Sequence, residues 1–269
     1  MHLSEINIYP IKSLGGIALN RSLIEEPGLR FDRRWLLIDE KNKFLTQRDF
    51  PQMAKFGLTL ENGNLTISFE NEKLSIPFDT NRAGSGSVKI WSSAVKAEIY
   101  DDEINRWFSE RFNSPCRLAF MNGKSKRKVS PFYAVRKFRD TVSFADAYPF
   151  LIAGENSLKD LNEKMEKPLP MNRFRPNLVI AGSEAFAEDG WKKIKIGKTV
   201  FHVVKACARC SMTTIDQKTG EKDGAEPLKT LAGFRKKSGN VYFGQYLIAD
   251  KAGEIIEISD RVEILEVKN

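Results

Sequence analysis

Two cysteines three positions apart, Cys207 and Cys210, sit in the segment Lys205-Ala-Cys-Ala-Arg-Cys210-Ser-Met-Thr-Thr-Ile-Asp216-Gln-Lys-Thr-Gly220. A C-x-x-C pair can serve as a redox dithiol, but such pairs normally open a helix. Here a β-prone run follows Cys210 and ends in the turn residues Asp216 to Gly220. Arg209 places a positive charge beside the pair, which favours a thiolate at one of the two sulfurs. One thiolate at a strand edge suits a nucleophile or a soft-metal ligand better than a dithiol switch. A structural pair is the alternative. Only His2 and His202 accompany the cysteines, so a four-ligand Cys/His zinc site has no obvious members. The third cysteine, Cys116, stands alone before Arg117-Leu118 and reads as an inert core thiol.

Other residues with chemical potential are scattered along the chain. Lys12 and Ser13 follow a strand at a proline-marked turn, with Gly15-Gly16 just beyond. An ammonium, a hydroxyl and free backbone amides in such a turn can hold a phosphate; a surface lysine in a glycine turn is the alternative. Arg175 lies just before the apolar run Leu178-Val-Ile180, where an unpaired guanidinium is costly. It needs an anion, whether a ligand phosphate or an internal carboxylate. Asn177 is either a ligand contact or a strand-start residue. Asp146 is an acid in an otherwise apolar stretch that ends in Pro149-Phe-Leu-Ile152, so it is either structurally paired or poised near a reacting centre. In dry surroundings its pKa would rise. Tyr246 is either a ligand contact or a core aromatic.

The elements that must position these residues read as mostly β. Met1 to Tyr9 carries Leu3, Ile6 and Ile8 as a half-buried strand that breaks at Pro10. Arg34 to Asp39 and Phe44 to Thr46 flank a turn as a hairpin, and residues 58–60, 65–69 and 73–76 form a meander around Asn62-Gly63-Asn64. Strands are predicted over 88–91 and 97–100. A helix is predicted over 102–112, with Ile104, Trp107, Phe108 and Phe112 on one face. The basic stretch Asn122 to Pro131 reads as a linker or exposed loop. A second helix covers about 155–164, and strands follow at 178–180, 193–196, 200–204, 212–215, 243–248 and 261–265. Short strands at this spacing indicate barrels or sandwiches.

Composition narrows the function classes. A chain of 269 residues with 41% hydrophobic and 29% charged residues is an ordinary globular protein of one large or two modest domains. Its longest apolar stretches fall far short of the roughly 20 residues of a membrane span. No basic segment leads into an apolar signal region, and a cytoplasmic protein is the simplest expectation. The net charge of +8 suits an anionic partner. The densest basic run is Lys124 to Lys128, followed by Arg136, Lys137 and Arg139, and such runs are usually solvated loops. No nucleic-acid-binding motif accompanies it, so nucleic acid is not the expected partner.

Eight elements, in order, resemble the MOSC family, which includes the mitochondrial amidoxime reducing component and its bacterial relatives. The segment Lys205 to Gly220 resembles the family signature. Ile8-Tyr-Pro-Ile-Lys12-Ser13 resembles its Y-P-[VI]-K-S element, Asp32-Arg33-Arg34-Trp35 its D-R-x-W, and Thr46-Gln47-Arg48 its T-x-R. Phe144 to Ile152 resembles the central segment around an aspartate. Arg173-Phe-Arg175-Pro-Asn177, Ala187-Glu-Asp-Gly-Trp191 and Phe243-Gly-Gln-Tyr246 resemble F-R-P-N, A-E-D-x-W and F-G-Q-Y.

The resemblance implies a mainly β (α+β) fold: an N-terminal β-rich domain over 1–120 and a MOSC β-barrel over 121–269, with a few helices. It implies a molybdenum cofactor (molybdopterin), with Cys210 as metal ligand and catalytic residue. Lys12, Ser13, Arg33 and Arg48 would hold the cofactor's phosphate, Arg175, Asn177 and Tyr246 would contact the cofactor, and Asp146 would be the proton donor. Glu188 and Trp191 are expected to stabilise the fold. The activity implied is oxidoreductase, independent of pyridoxal phosphate: removal of oxygen at molybdenum from a small N-hydroxylated substrate such as an amidoxime. Three cysteines are too few for a four-thiolate iron–sulfur centre. Electrons are therefore expected from an external donor of ferredoxin, flavodoxin or cytochrome type. A non-catalytic cofactor or sulfur carrier is the alternative within the family. Departures are Ala147 and Tyr148, where relatives often carry hydroxyl residues after the aspartate, and Arg173, where a small polar residue is common.

Overall fold

The structure is a computed structural model and describes residues 1–80, 82–136 and 139–268; Lys137 of the basic run lies outside them. Among the described residues there are four sheets and three α-helices, so the fold is mainly β. The largest sheet has nine strands. Its main path runs in the order Val262–Val267, Trp191–Ile196, Thr199–Ala208, Asn240–Ala249, Phe150–Gly154, Leu178–Ala181, His2–Ile8 and Ile17–Leu19.

The first strand shows how the sequence pattern becomes structure. Its inward residues Leu3, Ile6 and Ile8 are spaced three and then two apart, which strict alternation forbids. A register shift between Leu3 and Glu5, where the strand pairs with Leu178–Ala181, absorbs the extra residue. All three side chains then enter one core with Phe150, Ile152, Trp191, Phe201 and Leu247.

A second core belongs to the N-terminal half. It gathers Trp35, Phe56, Leu65 and Ile76 beneath the helix Asp102–Phe112. That helix spans the residues its periodicity predicts, because Asp101 caps its first turn by accepting from the Ile104 amide at 3.0 Å. Asn113 closes it in the left-handed conformation. The meander is present as Gly57–Glu61, Asn64–Phe69 and Glu72–Pro77.

Three expectations need correction. Residues 212–215 are not a strand: Ser211–Thr214 is a short 3-10 helix. The Thr213 and Thr214 hydroxyls donate back to the carbonyls of Cys210 (2.9 Å) and Ser211 (2.8 Å), and these local bonds replace a ladder. Phe44 to Thr46 makes only a bridge to Ile38, because the Thr46 hydroxyl turns the chain by bonding Asp49 at 3.0 Å. The stretch 122–131 is not a free linker, since Arg127 and Val129 are buried in it. The strand Phe150–Gly154 escaped the pattern reading because every residue in it is buried, which leaves no alternation. No helix among the described residues is long and apolar enough to cross a membrane.

Candidate functional site

One cavity, with roughly 790 Å³ of empty space counting its open mouth, is lined by all nine of Lys12, Ser13, Arg33, Arg48, Asp146, Arg175, Asn177, Cys210 and Tyr246. These residues come from seven separate places along the chain. The large sheet supplies the stretch after Ile8, the stretch before Leu178, the stretch after Ala208 and, from within the strand Asn240–Ala249, Tyr246, while loops on either side of the strand Trp35–Ile38 supply Arg33 and Arg48.

Behind the N-terminal wall stands Tyr9, which lines a neighbouring cavity. Its ring lies between two guanidiniums, Arg33 at 4.3 Å and Arg175 at 4.1 Å from the ring centre. Burial, only partly offset by Arg175 and Arg33, pushes the Tyr9 hydroxyl up to about 12. It donates to the Pro176 carbonyl at 3.1 Å. The adjoining Gly16 is required by packing, because a Cβ there would sit 2.7 Å from the Tyr9 ring. Gly15 and Gly16 do not line this cavity; they line a neighbouring one that also reaches Arg175. Ser13, Arg33 and Arg175 all hold positive φ (69°, 48° and 53°). Non-glycine strain gathered at one cavity marks a place the fold over-determines.

The cations divide into paired and unpaired groups. Arg33 Nη1 donates to both oxygens of buried Asp32 at 2.9 and 2.8 Å, so its charge is answered within the protein. Arg173 is buried and donates through Nη2 to Asp216 and Asp223, each at 2.9 Å, while its Nε and Nη1 find no partner. Arg175 bonds only neutral acceptors, Gln217 Oε1 (3.1 Å) and the Leu14 carbonyl (2.7 Å). Burial lowers it to about 10. Arg48, Arg175 and Arg209 have no carboxylate at salt-bridge distance among the described residues. Six Lys or Arg against the single acid Asp146 leave the lining in cationic surplus. An anionic ligand would relieve it.

Asp146 is paired within the cavity. Its side chain is 49% exposed to the cavity, and Lys12 Nζ stands 2.6 Å from its Oδ1. Burial within the surrounding protein would raise its pKa, but Lys12, by charge and hydrogen bond, with Arg33 and Arg48, outweighs this and holds it well below the usual carboxylate range. In this arrangement its Oδ1 accepts from Lys12, which is the structurally paired alternative. Lys12 itself is driven down by burial and supported by Asp146. Asn177 is also committed to the protein: its Oδ1 accepts from the Leu151 amide (3.1 Å) and Arg33 (3.2 Å), and its Nδ2 donates to the Asn7 carbonyl (3.1 Å).

The thiols separate by environment. Cys210 leaves the sheet beyond Ala208, is exposed, and has Arg48 Nη1 at 3.8 Å from its sulfur. Cys207 is buried, with Arg209 Nη1 2.8 Å from its sulfur. Tyr246 stands beside it, with its hydroxyl raised well above its ordinary value by burial and by Cys207. Cys116 is a core thiol, as expected, pushed up to about 11 by burial.

Sequence reasoning missed three contributors. Asp32 anchors Arg33 and accepts from the Tyr9 amide at 2.9 Å; its adjacency in Asp32-Arg33 was the available signal. Arg127 donates to the Asp146 carbonyl at 2.8 Å from the supposed linker. Trp91, predicted to lie in a strand, occupies a turn at φ 52° and donates to Asp146 at 3.3 Å.

The site is thus a cationic cavity with an exposed thiol in its wall, in a mainly β protein. Residues 1–115 match the MOSC N-terminal beta barrel domain and residues 139–263 the MOSC domain. The chain is 33% identical over 282 residues to the mouse (Mus musculus) mitochondrial amidoxime-reducing component 1, covering 98% of this chain and 82% of that one. The human protein of the same name is 31% identical, with the same coverage. The molybdenum cofactor sulfurase of rice (Oryza sativa subsp. japonica) is 34% identical over 264 residues, 91% of this chain. The chain spans only 32% of that sulfurase's length. It belongs to the MOSC family.

Proposed function

We propose that this chain holds a molybdenum cofactor in the cationic cavity and reduces small N-hydroxylated compounds, with Cys210 as the metal's thiolate ligand. The observation that carries this reading is the convergence on one cavity of nine residues chosen on sequence grounds, spread from Lys12 to Tyr246. The residues fit such a group by their chemistry. Three guanidiniums without carboxylates and the unpaired N–H groups of Arg173 suit a phosphate-bearing ligand, and an exposed sulfur suits a soft metal. Similarity to proteins named for amidoxime reduction and for the molybdenum cofactor supports the same choice.

When bound, the cofactor supplies oxygen-atom transfer coupled to two-electron redox chemistry. The chain positions and tunes. Arg175, Lys12 and Ser13 bind the anionic end, while Arg33, locked by Asp32 and stacked on Tyr9, fixes that wall. Arg48 offers positive charge to the Cys210 sulfur. Once an anion engages Lys12 Nζ, Asp146 Oδ1 loses part of the charge that keeps it ionised. It then becomes the cavity group able to carry a proton. The overall balance is R–NHOH + 2e⁻ + 2H⁺ giving R–NH₂ and water, with electrons from a separate one-electron carrier. Three unpaired cysteines suit a reducing compartment, and we take the chain to act in the cytoplasm.

Benzamidoxime turnover by the cofactor-loaded chain, with reduced methyl viologen as electron source, tests the reading. Formation of benzamidine, abolished in Cys210→Ser, is the expected result. A protein that retains molybdopterin but forms no benzamidine is a carrier, and the reductase reading fails.

A further inference from the structure

The loop between the two cores carries features that the cavity does not use. From Lys124 to Arg139 the sequence has no Asp or Glu. Phe132 stands at its tip with 93% of its surface open, the most exposed of the large hydrophobic side chains described. One exposed phenylalanine alone is ordinary, but here it adjoins the exposed Tyr133 (38%) in a basic loop, an aromatic and cationic combination common at docking sites.

The next residue points the other way along a line of rings. Tyr133 meets Tyr148 edge-on, with ring centres 6.0 Å apart, and Tyr148 lies 4.9 Å from Tyr246. Tyr148 and Tyr246 both line the cavity. Tyr148 is the departure from the hydroxyl residues expected beside Asp146, and it supplies the middle ring. Lys205 Nζ covers the outer ring at 4.7 Å from the Tyr133 centre. Arg127 ties the same loop to the cavity wall through the carbonyls of Ser143 and Asp146. Three packed tyrosines thus run from the exposed face into the lining of the cavity.

We propose that Phe132 and Tyr133, with the exposed Lys126 and Arg139 on the same loop and Lys205 on the adjoining strand, form the docking face for a small acidic one-electron carrier protein. The proposal rests on the reductase reading. Each encounter oxidises the carrier's iron–sulfur or flavin group by one electron, and two encounters with two protons supply one N–O reduction. The geometry suits a brief, charge-steered complex: one apolar anchor, a cationic surround, and a short packed route inward. A membrane or an RNA would use the charge and the phenylalanine but has no use for the ring path.

The test is calorimetric titration of the full chain, purified without cofactor, with an acidic plant-type [2Fe–2S] ferredoxin and with an acidic flavodoxin at 50 mM salt. Binding to at least one carrier is expected, falling more than tenfold at 500 mM salt as screening sets in. The double variant Phe132→Ser/Lys205→Glu should weaken it at least tenfold with an unchanged melting temperature. Lys159→Glu, on the helix Glu155–Glu163, should leave it within twofold. No binding to either carrier, or binding indifferent to the double variant, overturns the proposal. So does a patch that instead captures anionic phospholipid vesicles or single-stranded RNA. Because docking is read without cofactor, a chain that binds a carrier yet reduces nothing refutes only the reductase reading. One that reduces benzamidoxime with methyl viologen yet binds no carrier refutes only the docking face.

Discussion

Lys12 and Asp146 are neighbours only in space, 134 positions apart, and their contact decides which of the cavity's groups is charged. Asp146 has a depressed pKa in the folded chain, so the ion pair's stabilisation is present above the ordinary carboxylate pKa of about 3.9. It is lost as pH falls through the depressed folded value. In Lys12→Met the largest stabilising charge is gone, and a ¹³C-carboxyl titration should find Asp146 protonating at a distinctly higher pH. A titration unchanged from the parent chain would show that Arg33 and Arg48 suffice. Sequence singled out Lys12 and Asp146 as candidates, but it could not show that they met. A raised pKa was expected only in dry surroundings: the apolar neighbours were legible, whereas the lysine partner and the open side of the carboxylate were not. Trp91 was hidden by its apolar neighbours Val88 and Ile90, which made a turn residue read as strand.

At the scale of elements, the residues that fasten helices and turns to the large sheet are as specific as those in the cavity. Buried Glu188 accepts from the Gly154 amide at 3.2 Å and from the Ser157 hydroxyl at 2.9 Å, which fastens the start of the helix Glu155–Glu163 to the turn before Trp191. Burial raises its pKa despite these bonds. Its contribution is therefore complete below the ordinary glutamate value and declines as pH rises through the folded value. Urea unfolding between pH 4 and 8 should find Glu188→Gln losing ground to the parent at low pH and regaining it as pH rises. Glu188→Ala should cost about 1–3 kcal/mol by stranding two donors. A gap between the Gln variant and the parent that is flat with pH would mean that Glu188 is not the group whose charge is penalised. The motif glycine Gly244 has a similar local cause: at φ 78° a Cβ would lie 2.7 Å from the Ile152 carbonyl of the paired strand. Strands with one wet face were legible from alternation, whereas Phe150–Gly154, dry on both faces, was not. The threonines after Cys210 read as strand because their hydroxyls, which bend the chain, carry no weight in a hydrophobic pattern.

At the scale of the whole molecule, the division expected near residue 120 lies in the stretch between the two family matches, 1–115 and 139–263, and strand pairs cross it. His2–Ile8 pairs with Leu178–Ala181, and Arg21–Glu25 pairs with Ile255–Glu257. Residues 121–269 expressed alone would expose the edge of Leu178–Ala181 and lose Leu3, Ile6 and Ile8 from their core. They should aggregate or lack cooperative unfolding by circular dichroism, and supplying 1–120 in trans should restore a single transition. Cooperative folding of the isolated piece would make the division a true autonomous boundary. The same crossing of the chain builds the cavity, since its lining runs from Lys12 and Ser13 in the N-terminal half to Cys210 and Tyr246 in the C-terminal half. A molybdenum cofactor held through Cys210 would leave its metal with the purified protein. Molybdenum content should therefore be measured by elemental mass spectrometry, for the chain and for Cys210→Ser, both purified from a host that makes the cofactor. Near-stoichiometric metal that falls sharply in the variant is the predicted result. No molybdenum in the parent chain, or equal amounts in both, would contradict it.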